Sequence, residues 1–409
     1  LPQRALSAPT LTVAVVARAV QRVLSPEGEE QLLYHKSIKK PMLAARGLYP
    51  IFLVTNVQID FHHGVTYAIA RLAGFEHEEA SIVAYCAQYV DDSTNSGVIN
   101  FDNGAMYSRI SSAHKMLDYR NFLELANHYV WIPFHFLPGN NYLPAGQDPE
   151  GSFINKLICR PNSYVAQDMV RECIQRQTDP YGLYRLGITM HVYADTWAHQ
   201  GFVGVNHRIN EAKNLVNAKG KPDRNLRNRV TNFFVTEALP LGHGAVLSHP
   251  DKPFLRWGYT NGRGEKIIRD NPQDFLEAAE QMCRAMQRYL QQDSDATVPG
   301  LPEKDRATIG TLLETIIDDK GRHRHQKWLQ AIADGIFSFG AAQVSYAARG
   351  QNSWKYAALG IEGDEENRNK LAYNPEFLKS HWKLFHDALK AHQFFVIHDL
   401  LPRYGICTA

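Results

Sequence analysis

Polar residues recur every four positions inside an otherwise apolar stretch. They are His191, Asp195 and His199, within GITMHVYADTWAHQGFVGVNHRINE, Gly187 to Glu211. On an α-helix, residues four apart sit one turn apart on the same face. The three side chains then form one polar stripe about 12 Å long. Their neighbours Val192, Tyr193, Ala194, Trp197 and Ala198 are apolar or aromatic, so the stripe faces the interior rather than solvent. Two imidazoles flanking a carboxylate form a metal-ligand arrangement, and a carboxylate between two ions can bridge them. The stretch continues with His207 and Glu211, a second pair four apart. A lone His-x-x-x-His would read as core histidines bonded to backbone, but the central Asp and the following pair favour a metal site.

Cysteine cannot supply such a site. The five cysteines, Cys86, Cys159, Cys173, Cys283 and Cys407, are scattered and none forms a CxxC pair, which argues against a thiolate zinc site or a disulfide framework. The 18 histidines are ample. A formal charge of +2 gives no electrostatic case for nucleic acid. No apolar run reaches the ~20 residues needed to span a bilayer. The expectation is a soluble chain, with secretion or peripheral membrane association both open. A length of 409 residues allows one large domain or two of ordinary size.

Residues 1–50 read as a helical arm followed by a basic, proline-broken linker. The arm, Pro9 to Leu24, is amphipathic rather than a signal peptide. Residues 51–260 carry the metal-ligand candidates and read as a helical catalytic core. Residues 261–409 read as additional C-terminal helices packed on it. Asp60-Phe61-His62-His63 opens a helix that Gly74 ends. A second helix runs from His77 to Val90 and stops at Asp91-Asp92. Two acids at a helix C-terminus oppose the dipole, which prefers cations there. A local rule broken in this way marks either a functional site or a solvated loop. Asn95 to Ala113 reads as a β-hairpin around Asp102-Asn103-Gly104. Trp131 to Pro138 (WIPFHFLP) reads as a short aromatic extended run with His135 inside. Asn225 to Ala238 reads as a helix, and Leu241 to Tyr259 as a connector containing His243 and His249. Asn271-Pro272 reads as an N-cap followed by proline at the first helical position. The histidines of the last helix, among them His386, His392 and His398, read mostly as surface or structural residues.

Clustered divalent ions favour phosphate-ester hydrolysis. They lower the pKa of a coordinated water and neutralise phosphoryl oxygens. The sequence has no P-loop, no Gly-x-Ser-x-Gly elbow and no HExxH. The stretch HVYADTWAHQGFVGVNHRINE resembles the zinc-binding core of zinc-dependent phospholipase C and the related single-strand nucleases. With DFHH, YVDD, PFHF and GHG followed by PD, the chain is similar over Val57 to Tyr259 to a divergent bacterial and fungal group of zinc metallophospholipases C. The resemblance implies that His191, Asp195, His199, His207 and Glu211 are metal ligands. It adds Asp91 or Asp92 as the early Asp ligand, and His62 or His63, with Asp60 beside them, as the N-terminal ligands. His114 or His135 would supply a middle His. It departs from the family in spacing Asp195 and His199 by four rather than six, without a proline between them. It also has about sixty residues ahead of Asp60, where the family uses an N-terminal amine.

The expectation is a mainly α fold, a multi-helix zinc phospholipase C-like bundle with a small β-hairpin insertion. It would hold two or three Zn2+ ions and hydrolyse glycerophospholipid at a membrane surface to diacylglycerol and a phosphorylated headgroup. Metal-activated water would be the nucleophile, with Asp91, Asp92 and Asp195 as catalytic carboxylates. His243, His249 and Trp197 are candidates to contact substrate. The alternatives are a zinc-dependent nuclease or 3′-nucleotidase, and a metal-stabilised binding protein without turnover.

Overall fold

The computed structural model describes residues 59–113, 124–221, 248–363 and 370–408. The expected arm of residues 1–50, the helix at 225–238, His114 and His243 lie outside them. Among the described residues the protein is mainly helical, with two small sheets.

A π-helical turn, Asp60–Val65, leads into α1, Thr66–Ala73, which Gly74 ends at φ +113°. Helix α2, His77–Asp92, starts in a capping box between Glu76 and Glu79 and carries Glu78 and Glu79 where the dipole favours acids. The hairpin β1–β2, Gly97–Asn100 and Met106–Arg109, pairs antiparallel about the Asp102-Asn103-Gly104 turn, as the sequence predicts. Helix α3, Glu124–Phe134, contains Pro133. The first half of the expected extended run at Trp131 to Pro138 is therefore helical, and His135 follows the helix end. The aromatic residues suggested a strand, but they divide between two core clusters, Phe134 stacking on His392 and Phe136 on His199.

Helix α4, Tyr164–Gln175, is capped by the Ser163 side chain. Helix α5, Gly182–Ala198, is buried along almost its whole length. A helix apolar on all sides belongs in the centre of a fold, and α2, α4 and two later helices surround this one. Gly187 permits the closest of these approaches. A Cβ there would stand 2.5 Å from both Cys86 Cβ and the Val83 carbonyl oxygen. Helix α5 stops at Ala198 and the chain turns at Gly201, φ +89°. The four-residue spacing of His207 and Glu211 is therefore not helical spacing.

A three-stranded antiparallel sheet follows, β3–β4–β5, formed by Ala212–Asn217, Arg256–Asn261 and Lys266–Asp270. The sequence reading missed it. Turn residues dominate the stretch up to Tyr259, and β4 starts only at its end. Helix α6, Asn271–Gln291, has Asp270 rather than Asn271 as its N-cap. Asn271 is buried and donates to the carbonyls of His249 and Lys252 at 2.7 and 2.9 Å, fixing the loop that carries Asp251. Helices α7, Glu303–Thr315, α8, Gly321–Ala333, α9, Trp354–Leu359, and α10, His381–Phe395, complete the layers. Helices α6 and α10 flank α5, and α8 packs against the π-helical turn. No described helix is long and apolar enough to cross a membrane.

Candidate metal centre

Four elements converge beside the middle of α5. The π-helical turn brings His62, the end of α2 brings Asp91, the end of α3 brings His135, and α5 brings His191 and Asp195. Asp195 Oδ2 lies 3.2 Å from His135 Nδ1 and 3.3 Å from His191 Nε2, and these two nitrogens are 3.2 Å apart. Asp91 Oδ1 stands 3.9 Å from each of the same two nitrogens. Asp195 Oδ1 faces His62 Nε2 at 3.2 Å.

The backbone decides which nitrogens face inward as bare acceptors. A carbonyl oxygen only accepts. His191 Nδ1 donates to the Ala87 carbonyl at 2.7 Å, and His135 Nε2 donates to the Ser112 carbonyl at 2.9 Å. In the neutral rings, His191 Nε2 and His135 Nδ1 are therefore lone pairs, and they meet each other and a carboxylate oxygen. Three acceptors in contact repel unless a cation stands among them. Two ligands about 2.0–2.1 Å from a tetrahedral zinc are separated by about 3.3–3.4 Å, close to the observed 3.2, 3.2 and 3.3 Å. Histidines that bind metal usually give their other N–H to a carbonyl or carboxylate in this way. Asp195 Oδ1 and His62 Nδ1 are buried without a hydrogen-bond partner among the described residues. Among the described residues, the groups suited to a metal are His62, His191 and Asp195, and Asp91, His135 and His191.

Residues 57–400 match a family described as a family of unknown function (DUF6765). The chain belongs to this family. No curated protein matches it, and no solved structure does.

In this DUF6765 chain the electrostatics follow from the same packing. Burial, then the charge of His62, pushes the His191 imidazole down to about 3, which keeps it neutral. Burial alone would raise the Asp195 carboxyl. The charge of His199 beside it outweighs that and holds the group well below the usual range. Burial would lower His199, but the charge of Asp195, reinforced by Asp251, lifts it to about 9. Desolvation, reinforced by the charge of Asp195, pushes Asp91 well above the usual carboxylate range, against the pull of His135. Its side chain is 28% exposed, against 5% or less for His135, His191 and Asp195, so solvent reaches the cluster on the Asp91 side.

Other expected ligands are drawn elsewhere. Asp60 is held by Arg324, whose Nε and Nη2 donate to its two oxygens at 2.7 and 2.9 Å. His63 turns away from His62 and meets His325, Nδ1 to Nε2, at 2.9 Å. Asp92 accepts from Tyr346 Oη at 2.6 Å and Gln88 Nε2 at 3.2 Å. His199 donates from Nδ1 to the His135 carbonyl at 2.7 Å, and its Nε2 points toward Asp251 Oδ1 at 3.7 Å. It therefore borders the cluster and supports the backbone of a ligand. His207 accepts from the Ile209 N–H, and Glu211 pairs with Lys213 at 2.9 Å; neither joins the metal-suited groups. Trp197 is core, edge-on to Tyr193, and His249 packs against Trp257. Of the histidines read as surface or structural, His386 and His392 are buried and His398 is exposed.

The sequence reading left Arg324, His325 and Tyr346 unassigned. Nothing local marks them, because their partners lie more than 250 positions earlier in the chain. Asp251 carries a weak signal, as the acid of the PD that follows GHG.

Proposed function

We propose that the protein is a zinc-dependent phosphodiester hydrolase of the phospholipase C type, built on a helical bundle like that of the zinc phospholipases C. The observation that carries the metal is the meeting of His135 Nδ1, His191 Nε2 and Asp195 Oδ2, mutually 3.2–3.3 Å apart, with both rings' other nitrogens donating to backbone carbonyls. The motif resemblance supplies the phospholipase reading.

His135, His191 and Asp195 would hold one ion, with Asp91, 3.9 Å from both ring nitrogens, on its solvent side. Asp195, through its second oxygen, would share a neighbouring ion with His62. Bound divalent ions supply Lewis acidity toward phosphoryl oxygens and a nucleophilic water at neutral pH. The carbonyls of Ala87 and Ser112 keep the two imidazoles in the tautomers that ligation needs. Asp91, the most exposed carboxylate of the set, is placed to take a proton on the solvent side. Asp92, hydrogen-bonded by Tyr346 and Gln88, holds the end of α2 that presents Asp91. The Phe136 ring, 4.5 Å from the His199 ring and stacked on it, keeps water from the inner side.

A second reading has one specific support. His135, His191, Asp195 and Asp91 could close a four-ligand site with no open position, as structural zinc sites do. One set of preparations separates the readings. Zinc per chain is measured by elemental analysis, and hydrolysis is measured on phosphatidylcholine vesicles, single-stranded DNA and 3′-nucleotides. At least two zinc-class ions and release of phosphorylated headgroup are expected. Metal without turnover on any of the three substrates leaves only the structural reading, and no metal after zinc reconstitution ends both.

A further inference from the structure

Between α8 and α9 the chain runs without helix or strand over residues 334–353. Three consecutive residues of this segment, Ser345, Tyr346 and Ala347, are tied to the two elements that deliver His62 and Asp91. The Tyr346 hydroxyl donates to Asp92 Oδ2 at 2.6 Å. The Tyr346 ring centre lies 5.2 Å from that of His63 and 4.7 Å from that of Tyr85. On one side of it, the Ser345 backbone meets the His63 imidazole. On the other, the Ala347 carbonyl accepts from the Tyr85 hydroxyl at 2.7 Å. One side chain thus packs on the residue after His62 in the π-helical turn and bonds the residue after Asp91 in α2. Gln88 Nε2 donates to Asp92 at 3.2 Å and reaches Asp91 at 3.5 Å, so a shift of one acid passes to the other. No basic residue stands in the last turn of α2 to balance two acids set against the helix dipole. For Asp92 a phenol donor takes that place.

We propose that Tyr346 is a positioning residue of the metal centre, clasping the π-helical turn to the end of α2 so that His62 and Asp91 face Asp195 from fixed places. It acts through His63 and Asp92. His135, His191 and Asp195 come from other elements, the end of α3 and α5, so the ion among them does not depend on the clasp. The ion that His62 shares with Asp195 does. Groups that orient metal ligands from behind change metal affinity by about 10–100-fold when removed. The role of Tyr346 rests on the metal reading and is independent of the substrate.

Zinc titration of the full chain against a chromophoric chelator tests this, together with the visible absorption of the protein loaded with cobalt(II). Wild type is compared with Tyr346→Phe, Asp92→Ala, the double variant and Tyr85→Phe. Tyr85→Phe also removes a phenol bond to the same segment, but about two helical turns from Asp92. The expected result for Tyr346→Phe is one zinc equivalent bound about tenfold more weakly, the other unchanged, and an altered cobalt spectrum. The double variant should bind no more weakly than Asp92→Ala alone, because both changes cut the same bond. Tyr85→Phe should lower the melting temperature as much as Tyr346→Phe, yet keep both equivalents and the spectrum of wild type. Wild-type zinc binding and spectrum in Tyr346→Phe overturn the proposal. Equal weakening in Tyr85→Phe, or additive losses in the double variant, overturn it as well. A wild type that binds no second equivalent ends the clasp, and one that binds no zinc ends the metal reading with it. A wild type that binds two equivalents, loses one through Tyr346→Phe and hydrolyses no diester leaves the clasp standing and removes the phosphodiesterase reading alone.

Discussion

Asp60 and Asp195 are both 1% exposed, and their surroundings could hardly differ more. Asp60 meets a guanidinium that matches both its oxygens, at 2.7 and 2.9 Å. Arg324 also donates to the carbonyls of Asp318 and Asp251. That region is complete: the charge is neutralised and the pair ties the π-helical turn to α8. Asp195 meets imidazoles instead. The His191 ring is neutral and presents a lone pair, Asp195 Oδ1 stands 3.2 Å from His62 Nε2 with no hydrogen-bond partner among the described residues, and His199 nearby is lifted toward a positive charge. A buried carboxylate facing arginine holds structure together. A buried carboxylate among imidazoles whose hydrogens point to backbone carbonyls is an arrangement suited to a cation.

The largest test of this contrast exchanges the two carboxylates for amides. Asp195→Asn keeps the shape of the side chain but removes the bridging charge. It is expected to lower metal affinity by more than about 100-fold and to remove nearly all phosphodiester hydrolysis, with helix content by circular dichroism unchanged. A fully metallated, active variant would mean that Asp195 is not a ligand. Asp60→Asn should do the reverse. Leaving Arg324 buried without its partner costs about 3–5 kcal/mol, read as a lower denaturation midpoint, while zinc per chain stays at the wild-type value in the protein that remains folded. If Asp60→Asn instead removes metal at wild-type stability, Asp60 belongs to the cluster.

Acid sharpens the comparison in the metal-free protein. His191 and His392 are held at about 3 and His325 at about 4, against about 6.5 in an unfolded chain. The unfolded state therefore binds more protons between those values. Stability present above about pH 6.5 is lost as pH falls toward 3–4, by about 1.4 kcal/mol per pH unit for each such histidine. His199, lifted to about 9, has the opposite sign: its contribution is full below about 6.5 and is lost as pH rises through 9. Melting temperatures in chelator should peak near pH 6.5, and His392→Asn should flatten the acid limb alone. A melting temperature that rises below pH 6 would contradict the neutral burial of these rings.

The smallest effect is expected where sequence spacing suggested ligands and the fold did not gather them. His207→Gln and Glu211→Gln should change stability by less than about 0.5 kcal/mol and leave zinc per chain unaltered. Loss of metal in either would return that pair to the site.

The sequence alone determined what is local. Helical spacing of four aligned His191 with Asp195, because both lie on one helix whose geometry depends only on near neighbours. Gly74 marked the end of α1 through the left-handed conformation it adopts there. The paired acids of Asp91-Asp92, set against the helix dipole, marked a point where local energetics give way to something else, and Asp91 does reach the cluster. Only the tertiary structure decided which member of each ambiguous pair looks inward. His62 and His63 are adjacent in sequence, yet the π-helical turn sends one to Asp195 and the other to His325. Asp60 was separated from the ligands by Arg324, 264 positions away. His135 meets Asp195 and His191 with its ring turned by the carbonyl of Ser112, which is distant in sequence and lies on neither helix. Those choices rest on contacts between distant segments, where close packing and the pairing of buried charge outweigh any local preference.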